Sequence, residues 1–422
     1  MNSTLFIIFR NITILFATLM LVKYYVFLVL APFHSYKETL RRIKLRKIRK
    51  NRDDLYRPLI SVIIPTWNEE IGIIKTIESV VLNTYTNIEI LVVNDGSSDN
   101  TDKIMKGFIE GYFSKKSPSE LNIKYFKKKR GGKGTALNHG IAQAKGEIIV
   151  TIDADSVLEK HALERLAEYF EDRSIDAAIG QVKVAENRSL VGLLQQLEYT
   201  FGFYYKRAHS ILGAEYIFGG ACAAFRKEKT FDQIGLFNTV SKTEDIEMSL
   251  RSRYHGLHAV YAENVICFTE GASTIVGLIN QRLRWKKGRF DTFIKYRQMF
   301  FSLDKRHNKP LSWFVLPYAL LSELQLLFEP IGIALLAAYS IISGDYLSLS
   351  IGILFIFLIY LVVSIFNQDK LNLKIVCMFP FTWPLFYILV WVEYVVLVKS
   401  IGMILRGNDI TWQKWARKGV NP

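Results

Sequence analysis

Two kinds of hydrophobic pattern divide the chain. Between Leu59 and about Thr274, short apolar runs of strand length alternate with amphipathic stretches of helical period, a pattern typical of soluble α/β domains. On either side of this region the apolar stretches are longer and reach the length that a bilayer-spanning helix needs. These stretches are Ile12–Pro32, Trp313–Ile341, Tyr346–Phe366 and Ile375–Leu405. The pattern therefore predicts an α/β domain inserted between transmembrane helices.

The strands of the α/β domain are predicted to form a parallel-rich sheet. The segment LISVIIPTWNEE predicts a buried strand with a polar end, and the amphipathic helix IGIIKTIESVVLN follows it. The segment NIEILVVNDGSSDNTDKIMKGFIE repeats this order, while IKYFKKK and EIIVTIDAD add strands. Ligands of parallel sheets bind beyond the carboxyl ends of the strands. The polar residues expected to share that crevice are Asn68, Glu69, Asp95, Asp153 and Asp155.

Asp153 and Asp155 are one residue apart at the end of an apolar strand. A carboxylate beside a core needs a partner, because burying it unpaired costs roughly several kcal/mol or more. In an extended chain this spacing points both side chains to one side, which suits Mg²⁺ or Mn²⁺ with water and substrate phosphate as further ligands. The alternative is that Asp155 caps a helix in the segment SVLEKHALERLAEYF.

Charge and cysteine usage indicate the compartment. Of the 422 residues half are hydrophobic, and the formal net charge is +15. The segment SYKETLRRIKLRKIRKNRD is dense in Lys and Arg directly after the first predicted span, which by the positive-inside rule places it in the cytoplasm. Because adjacency to a span explains this charge, no nucleic acid partner is expected. The cysteines, Cys222, Cys267 and Cys377, show no metal-binding spacing and fit a reduced compartment.

Seven motifs in one order resemble those of the membrane-embedded family 2 glycosyltransferases, which use nucleotide-diphosphate sugars. They are PTWNEE, VVNDGSSDNT, GGKGTALNHG, IDAD, FGGACAAFRKE, SKTEDIEMSLR and QRLRW. The resemblance extends from Leu59 to Arg297 and loosely to the flanking spans. Within the family, the motifs are most similar to those of the poly-β-1,6-N-acetylglucosamine synthases, with hyaluronan, chitin-oligosaccharide and cellulose synthases as more distant relatives. The resemblance implies a GT-A-like nucleotide-sugar transferase fold.

The resemblance also implies a site for a UDP-sugar donor. Asp95 would recognise uridine, and Lys133 lies in a glycine-rich loop, beside Arg130, that can approach a phosphate closely. A plain Asx turn and a flexible surface loop are the respective alternatives. The implied donor residues are Thr66, Asn68, Glu69, Asp95, Lys133 and Asp153, and the implied ligands of Mg²⁺ or Mn²⁺ are Asp155 and Asp153.

Asp245 is the implied catalytic residue. An acceptor hydroxyl is a weak nucleophile, and a carboxylate within hydrogen-bond reach can remove its proton as the new bond forms. The alternative is that Asp245 only complements the dipole of the helix that it opens. A glycoside hydrolase would also use two carboxylates, but that function leaves the Asp153–Asp155 pair, the basic glycine loop and the apolar spans unexplained.

The acceptor is expected beside an interfacial helix. The segment TIVGLINQRLRWKKGRFDTFIKYR is amphipathic and basic, which is typical of a helix at a membrane surface; an ordinary basic helix with an aromatic anchor is the alternative. After Trp285 the sequence KKGRFD departs from the poly-N-acetylglucosamine pattern, in which a small residue and paired glycines are expected. The residues implied to hold acceptor and diphosphate are Gly219, Gly220, Glu244, Gln281, Arg284 and Trp285.

Charged residues near the spans suggest a conduit and leave the topology open. Carboxylates inside apolar runs usually face a bundle interior or a water-filled path, and three are found here: Glu323, Glu329 and Glu393. Three spans after a cytoplasmic domain would place the carboxyl terminus outside. The cationic tail favours the inside instead, through Arg406, Lys414, Arg417 and Lys418.

The sequence predicts a multi-pass plasma-membrane protein with a cytoplasmic catalytic domain. The predicted segments are a transmembrane helix (1–35), a basic linker (36–58), the GT-A domain (59–274), the interfacial helix (275–310), the C-terminal spans (311–405) and a basic tail (406–422). The expected function is processive, inverting polymerisation of a UDP-sugar, with a growing polysaccharide, the bilayer and a small membrane accessory subunit as partners. The alternatives are a hyaluronan-, chitin- or cellulose-like synthase, a non-processive transferase acting on a lipid carrier, and a non-enzymatic membrane scaffold.

Overall fold

The computed structural model describes residues 3–50, 56–115, 122–185, 189–366, 382–407 and 419–420. The start of the last predicted span and the tail cations Lys414, Arg417 and Lys418 lie outside the described residues. The α-helices are α1 (Ser3–Leu30), α2 (Phe33–Lys50), α3 (Ile73–Val81), α4 (Thr101–Lys115), α5 (Lys133–Gln143), α6 (Ala162–Phe170), α7 (Leu190–Ile211), α8 (Glu244–Tyr254), α9 (Ile275–Lys295), α10 (Leu316–Ser343), α11 (Tyr346–Phe366) and α12 (Thr382–Leu405). The strands are β1 (Ile60–Thr66), β2 (Ile88–Asn94), β3 (Asn122–Lys127), β4 (Ile148–Thr151), β5 (Ser156–Leu158), β6 (Ala177–Val184), β7 (Ala223–Arg226) and β8 (Ala259–Thr269).

The strands form one mixed sheet in the order β3-β2-β1-β4-β7-β6-β8-β5. The first four are parallel, which confirms the parallel-rich sheet predicted from the repeated strand–loop–helix order. Strands β7 and β5 are antiparallel to their neighbours. Because helices cover both faces, β1, β2 and β4 are buried throughout, and this explains their nearly unbroken apolar sequences.

The polar ends of β1, β2 and β4 meet at one edge of the sheet. The register pairs Thr66 with Asn94 and Ile63 with Thr151, so the segments that follow these strands emerge side by side. The turn after β4 contains Asp153 and Asp155. The alternative that Asp155 caps a helix is wrong, since the next element is β5 and the helix begins only at Ala162.

The predicted basic linker is largely helical and packs on the catalytic domain. Residues Phe33–Lys50 form α2, and Leu45 is buried against the domain with 4% exposure. The Arg49 guanidinium donates to Glu171 at the C-terminal end of α6, at 2.6 Å from Nη2 to Oε1. Helix α2 therefore connects α1 rigidly to the sheet domain, where the sequence pattern predicted a linker.

Two helices in the described part of the chain are long and apolar enough to cross a membrane. They comprise Leu311–Ser343 and Tyr387–Leu405, and only 28% and 22% of their most apolar windows are buried inside the protein. The predicted spans in α1 and α11 are helical as well, but only shorter apolar stretches within them meet a comparable test. That α1 and α11 cross the membrane stays a prediction, and so does the insertion of the α/β domain between spans.

The final described residues lie against the catalytic domain. The Gly419 amide donates to Glu270 Oε2 at 3.1 Å, and the carbonyl of Val420 accepts from Lys75 Nζ at 3.3 Å. Val420 itself is 2% exposed. These contacts place residues 419–420 beside the sheet domain, and the side of the membrane on which the carboxyl terminus lies stays a prediction.

Candidate active site

A cavity of about 1030 Å³ opens at the carboxyl edge of the sheet and continues between α7, α9, α10 and α12. Nearly all the site residues predicted from the sequence line it. They are Thr66, Glu69, Asp95, Lys133, Asp153, Asp155, Gly219, Gly220, Glu244, Asp245, Gln281, Arg284 and Trp285. Residues separated by more than two hundred positions are thus brought into one space.

Asn68 is the exception, since it supports a loop behind the cavity. Its backbone φ is 53°, in the left-handed region that asparagine tolerates better than most residues. The backbone amide of Asn68 donates to Ser97 Oγ at 2.9 Å, and its side-chain Oδ1 accepts from the backbone amide of Ser98 at 2.7 Å. The structure therefore gives Asn68 a supporting role in the loop after β2.

Asp95 stabilises the glycine-rich loop through hydrogen bonds. Its carboxylate accepts from the amides of Gly131 and Gly132 at 2.9 and 2.7 Å, and from Lys128 Nζ. Charge-assisted bonds of this kind are stronger than neutral ones. Asp95 therefore holds the loop that leads into α5 and its first residue, Lys133.

An aromatic and a cationic side chain stack at the end of the cavity formed by the sheet edge. The Arg130 guanidinium lies 3.9 Å from the ring centroid of Trp67, and both residues line the cavity. Gly96 makes this approach possible: its φ is 71°, and a Cβ there would lie 2.8 Å from the Arg130 amide nitrogen. The sequence pointed to Arg130 but not to Trp67, although its position in PTWNEE was a usable signal.

Lys133 lies among three carboxylates. Its Nζ is 2.5 Å from Asp153 Oδ1 and 3.4 Å from Glu244 Oε1. Burial lowers the pKa of Lys133, but Asp153, Glu244 and Asp245 outweigh that effect and hold the pKa above its usual range. Burial also raises the pKa of Glu244, against the influence of Lys133. The site thus keeps a protonated amine where the phosphates of a donor could replace part of the carboxylate contact.

A glycine at position 220 allows the Lys133 amine to lie among these carboxylates, because the space beside the Gly220 backbone has no room for a side chain. A Cβ at Gly220 would lie 2.6 Å from Lys133 Nζ, 3.4 Å from Asp245 Oδ2 and 3.5 Å from Asp153 Oδ2. The backbone of the FGGACAAFRKE motif therefore passes directly beside the cationic and anionic groups of the site.

Gly220→Ala is expected to displace the Lys133 amine and lower catalytic turnover by about 10²-fold, the order of loss that a misplacement of about 1 Å produces. The matched control is Gly202→Ala, because Gly202 also lines the cavity but has nothing within 4 Å of its Cβ position. Steady-state turnover of both variants measures the effect. Equal activity of the two variants would show that the close approach at Gly220 is unimportant.

Asp245 lies in the first turn of α8, facing the same space. Thr243 is the N-cap residue of this helix, and Asp245 Oδ1 accepts from the Ile246 amide at 2.9 Å. The helix dipole favours a negative charge there. Helix α9 crosses close by, since a Cβ at Gly288 would lie 2.0 Å from Thr243 Oγ1. The crossing brings α9, which contains the QRLRW motif, against the start of α8.

The QRLRW motif of α9 forms the wall between the sheet domain and the apolar helices. Gln281 is 8% exposed, and its Oε1 accepts no hydrogen bond within the described residues. The Trp285 ring lies 6.5 Å from that of Tyr199, with the Arg282 guanidinium 4.2 Å from its centroid. A buried amide oxygen and an aromatic ring beside a cavity suit the hydroxyls and apolar face of a sugar.

A ladder of ion pairs joins α9 to three other helices at the far end of the cavity. The pairs are Arg282–Glu198 (2.5 Å), Lys286–Glu323 (2.7 Å), Lys286–Glu393 (2.7 Å) and Arg289–Glu323. All of these residues line the cavity, as does Glu329. The helical spacing of Arg282, Lys286 and Arg289 was visible in the sequence, but their partners were not.

The residues present fit a divalent ion held jointly with a substrate. No three His, Cys, Asp or Glu side chains are grouped as a metal site in the described ranges. Mg²⁺ and similar ions are commonly held by one or two carboxylates together with substrate phosphates. Asp153 and Asp155 both line the cavity, and Asp155 Oδ1 accepts from Ser156 Oγ at 3.3 Å and from Thr269 Oγ1 at 3.5 Å.

The sheet and the charged cavity at its carboxyl edge together define a GT-A-like glycosyltransferase. The chain belongs to glycosyl transferase family 2. The model of "Glycosyl transferase family 2" matches residues 61–231, and that of "Glycosyl transferase family group 2" matches residues 148–396. The resemblance noted in the sequence is therefore confirmed at the level of the family, and the protein is a glycosyltransferase.

Curated relatives and a solved structure agree with this assignment. A poly-beta-1,6-N-acetyl-D-glucosamine synthase of Staphylococcus epidermidis is 30% identical over 301 residues, which are 70% of this chain and 69% of that protein. The enzyme of the same name from Staphylococcus aureus (strain COL) is 29% identical over 60% of this chain and 59% of its own length. A mannosyltransferase from Pyrobaculum calidifontis, in complex with GDP-Man and Mn²⁺, superposes with a TM-score of 0.57 at 21% identity, covering 92% of this chain and 100% of its own. The last similarity supports the fold alone.

Proposed function

We propose that this glycosyltransferase is a processive, inverting membrane enzyme that polymerises N-acetylglucosamine from UDP-N-acetylglucosamine and exports the β-linked product. The observation that supports this most is the single cavity, which joins the charged edge of the sheet to the space between the apolar helices. A transferase that adds one sugar to a soluble acceptor has no need of such a connection. The names of the curated relatives support the choice of sugar.

The donor is placed at the sheet edge. Trp67 and Arg130 offer stacking surfaces for a base, and Asp95 lies beside them as an acceptor for base or ribose hydrogen bonds. Lys133 is positioned for the diphosphate. Asp153 and Asp155 would hold Mg²⁺ or Mn²⁺, which when bound supplies positive charge to the diphosphate as it leaves.

Asp245 is the proposed general base. It removes the proton of the acceptor hydroxyl while the hydroxyl oxygen bonds to the anomeric carbon and the bond from that carbon to the diphosphate breaks. Attack on the face opposite the diphosphate inverts the anomeric configuration, so an α-linked donor gives a β-linked product. Glu244, which is buried beside Lys133, keeps the amine oriented.

The acceptor end of the cavity is formed by α9 and the helices paired with it. Trp285 would pack on the apolar face of a sugar ring, and Arg284 would meet acceptor or diphosphate. Lys286 and Arg289 belong to the segment KKGRFD. Lys286 forms ion pairs with Glu323 and Glu393, and Arg289 forms one with Glu323. The residues that depart from the poly-N-acetylglucosamine pattern after Trp285 thus form ion pairs with α10 and α12 in this chain.

The proposed topology places the carboxyl terminus in the cytoplasm. The contacts of residues 419–420 with Lys75 and Glu270 support an even number of membrane crossings after the catalytic domain. The two helices that are long and apolar enough, Leu311–Ser343 and Tyr387–Leu405, provide two such crossings, and α11 would then not cross fully. A small membrane accessory subunit remains part of the proposal as a partner at the exposed apolar faces.

Trp285→Ala and Arg284→Ala are each expected to reduce polymer elongation about tenfold or more, the factor that corresponds to about 1.4 kcal/mol of lost binding. Binding of the UDP-sugar should persist, because both residues are proposed to contact acceptor or diphosphate at the α9 end of the cavity. Product length on gels and donor titration measure the two effects. Lys287→Ala, on the same helix, serves as the control, and full-length polymer from both site variants would contradict an acceptor role for α9.

The proposed donor is tested by supplying the purified full-length protein with a panel of radiolabelled UDP-sugars and either Mg²⁺ or Mn²⁺. Incorporation from UDP-N-acetylglucosamine alone is the expected result. Preferential incorporation from UDP-glucose would indicate a cellulose-like synthase, and a requirement for UDP-glucuronate a hyaluronan-like one. Label found only on a lipid carrier would indicate the non-processive alternative, and no transfer from any donor would contradict the enzyme itself.

A further inference from the structure

Helix α2 has two different faces. Along its length it contains eight Lys or Arg residues and one acidic residue, Glu38. The inner face packs on the catalytic domain, with His34 at 0% and Glu38 at 7% exposure. The outer face presents a stripe of apolar side chains to the surroundings. The two faces call for separate explanations, because burial against the domain accounts only for the first.

The inner face is fixed by specific contacts. Glu38 Oε2 accepts from the Tyr169 hydroxyl and from Arg41 Nε at 3.0 and 2.9 Å, and the Arg41 guanidinium stacks on the Tyr169 ring at 3.7 Å. Lys37 donates to the Ser210 carbonyl at the end of α7. The orientation of α2 about its own axis is therefore determined, and so is the set of residues that points outward.

The outer face has the composition of a helix that lies on a membrane. Its apolar residues recur every three or four positions, as one stripe of a helix does, and they are well exposed: Phe33 58%, Tyr36 65%, Leu40 48% and Ile43 45%. Such a stripe is costly in water but favourable at the boundary between lipid headgroups and acyl chains. Since α2 begins at Phe33, three residues after α1 ends, the stripe starts where the apolar helix stops.

Cations flank the stripe and determine which lipid it fits. They are exposed in the structure, and none forms a hydrogen bond or ion pair with a described residue: Arg42, Arg46, Lys47 and Lys50. The only carboxylate of the helix, Glu38, is on the inner face. An apolar stripe bordered by exposed positive charge is complementary to a surface of anionic phospholipid headgroups.

We propose that the outer face of α2 binds the anionic phospholipid surface of the membrane. The apolar stripe enters the headgroup region while the four flanking cations meet lipid phosphates. Since the inner face is fixed to α6 and α7, this binding orients the whole catalytic domain against the membrane. The proposal concerns a lipid-binding surface and does not depend on which sugar the enzyme transfers.

The test uses the full-length protein in phosphatidylcholine nanodiscs with a small share of spin-labelled phosphatidylglycerol. The ratio of bound to free labelled lipid, compared with spin-labelled phosphatidylcholine, gives the preference for anionic lipid. The variant R42Q/R46Q/K47Q/K50Q is expected to lower that preference at least about fivefold, roughly the effect of one cation at such a surface. The control removes four exposed lysines of the catalytic domain, K103Q/K145Q/K160Q/K229Q, and should leave the preference unchanged.

Insertion of the apolar stripe is tested separately. In a Cys377→Ser background, a fluorophore attached at I43C should be quenched by nitroxides at headgroup level, whereas one at K103C should not. An unchanged lipid preference in the α2 variant, an equal loss in the control, or no quenching at I43C would each overturn the proposal and leave the outer face as a surface for another protein. Because the readouts are lipid contacts, they stay informative if the proposed polymerase activity fails.

Discussion

Replacing Asp155 by alanine is expected to abolish glycosyl transfer while leaving the fold intact. The side chain lines the cavity at the end of the apolar strand β4 and is only partly buried, so its removal should leave the apolar core unchanged. A metal ion at a departing diphosphate is worth several kcal/mol. Because about 1.4 kcal/mol corresponds to a tenfold change in rate, the loss should reach at least about 10³-fold.

Two measurements separate this effect from a general loss of structure. Titration with UDP should show that Mg²⁺ or Mn²⁺ strengthens binding to the native protein but not to Asp155→Ala, and thermal unfolding should be alike for both. Asp232→Ala, an exposed carboxylate outside the cavity, is the matched control and should keep full activity. Transfer by the native protein that persists in excess chelator would contradict a role for the metal.

Asp245→Asn is expected to lower turnover by about 10²–10⁴-fold, the usual contribution of a general base, with donor binding preserved. Asparagine keeps the size and the hydrogen bond to the Ile246 amide but cannot take up a proton. If Asp245 served only to stabilise the start of α8, the loss of charge would cost no more than about 1 kcal/mol of helix stability, and activity would stay within a few-fold of the native value.

The relevant measurement is steady-state UDP release beside a UDP titration of the same variant. Asp232→Asn is the control for the change of an aspartate to an amide. Release near the native rate would refute the assignment of Asp245 as base. Lost UDP binding would instead place Asp245 in the donor site, next to Lys133, whose pKa it helps to raise.

The parallel half of the sheet was predictable because β1 and β2 are apolar runs that are each followed by a helix of clear period. The mixed half was not. Strands β5 and β7 have only three and four residues, too few for a periodic signal. In addition, β5 lies inside the segment SVLEKHALERLAEYF, whose later part is α6, and this made the whole segment resemble one helix capped by Asp155.

The candidate site was largely predictable because its motifs belong to a family with a known order. What the sequence could not supply were contacts between distant elements. Asp95 binds the amides of Gly131 and Gly132, a role invisible in a motif that ends at Thr101. Likewise Glu198, Glu323 and Glu393 pair with cations of one helix from three others, and such pairing depends on how those helices cross.

The charge pattern alone also did not determine which cations of the basic segment after α1 face the domain and which face outward. Its positive character predicted a cytoplasmic position, but a count of Lys and Arg does not distinguish residues such as Arg41, which is held by Glu38, from those on the outer face. That distinction requires the rotation of α2, which the contacts with Tyr169 and Ser210 fix.

The length of the product tests most directly whether this protein is a processive polymerase. Purified full-length protein is given a short pulse of radiolabelled UDP-N-acetylglucosamine at low conversion, followed by excess unlabelled donor, and the labelled product is sized. A processive polymerase gives long chains during the pulse, with few short intermediates and with label that moves to still longer chains in the chase. Label confined to single added sugars, or spread over short oligomers that grow evenly with time, would contradict polymerisation within the cavity that links the sheet edge to the apolar helices.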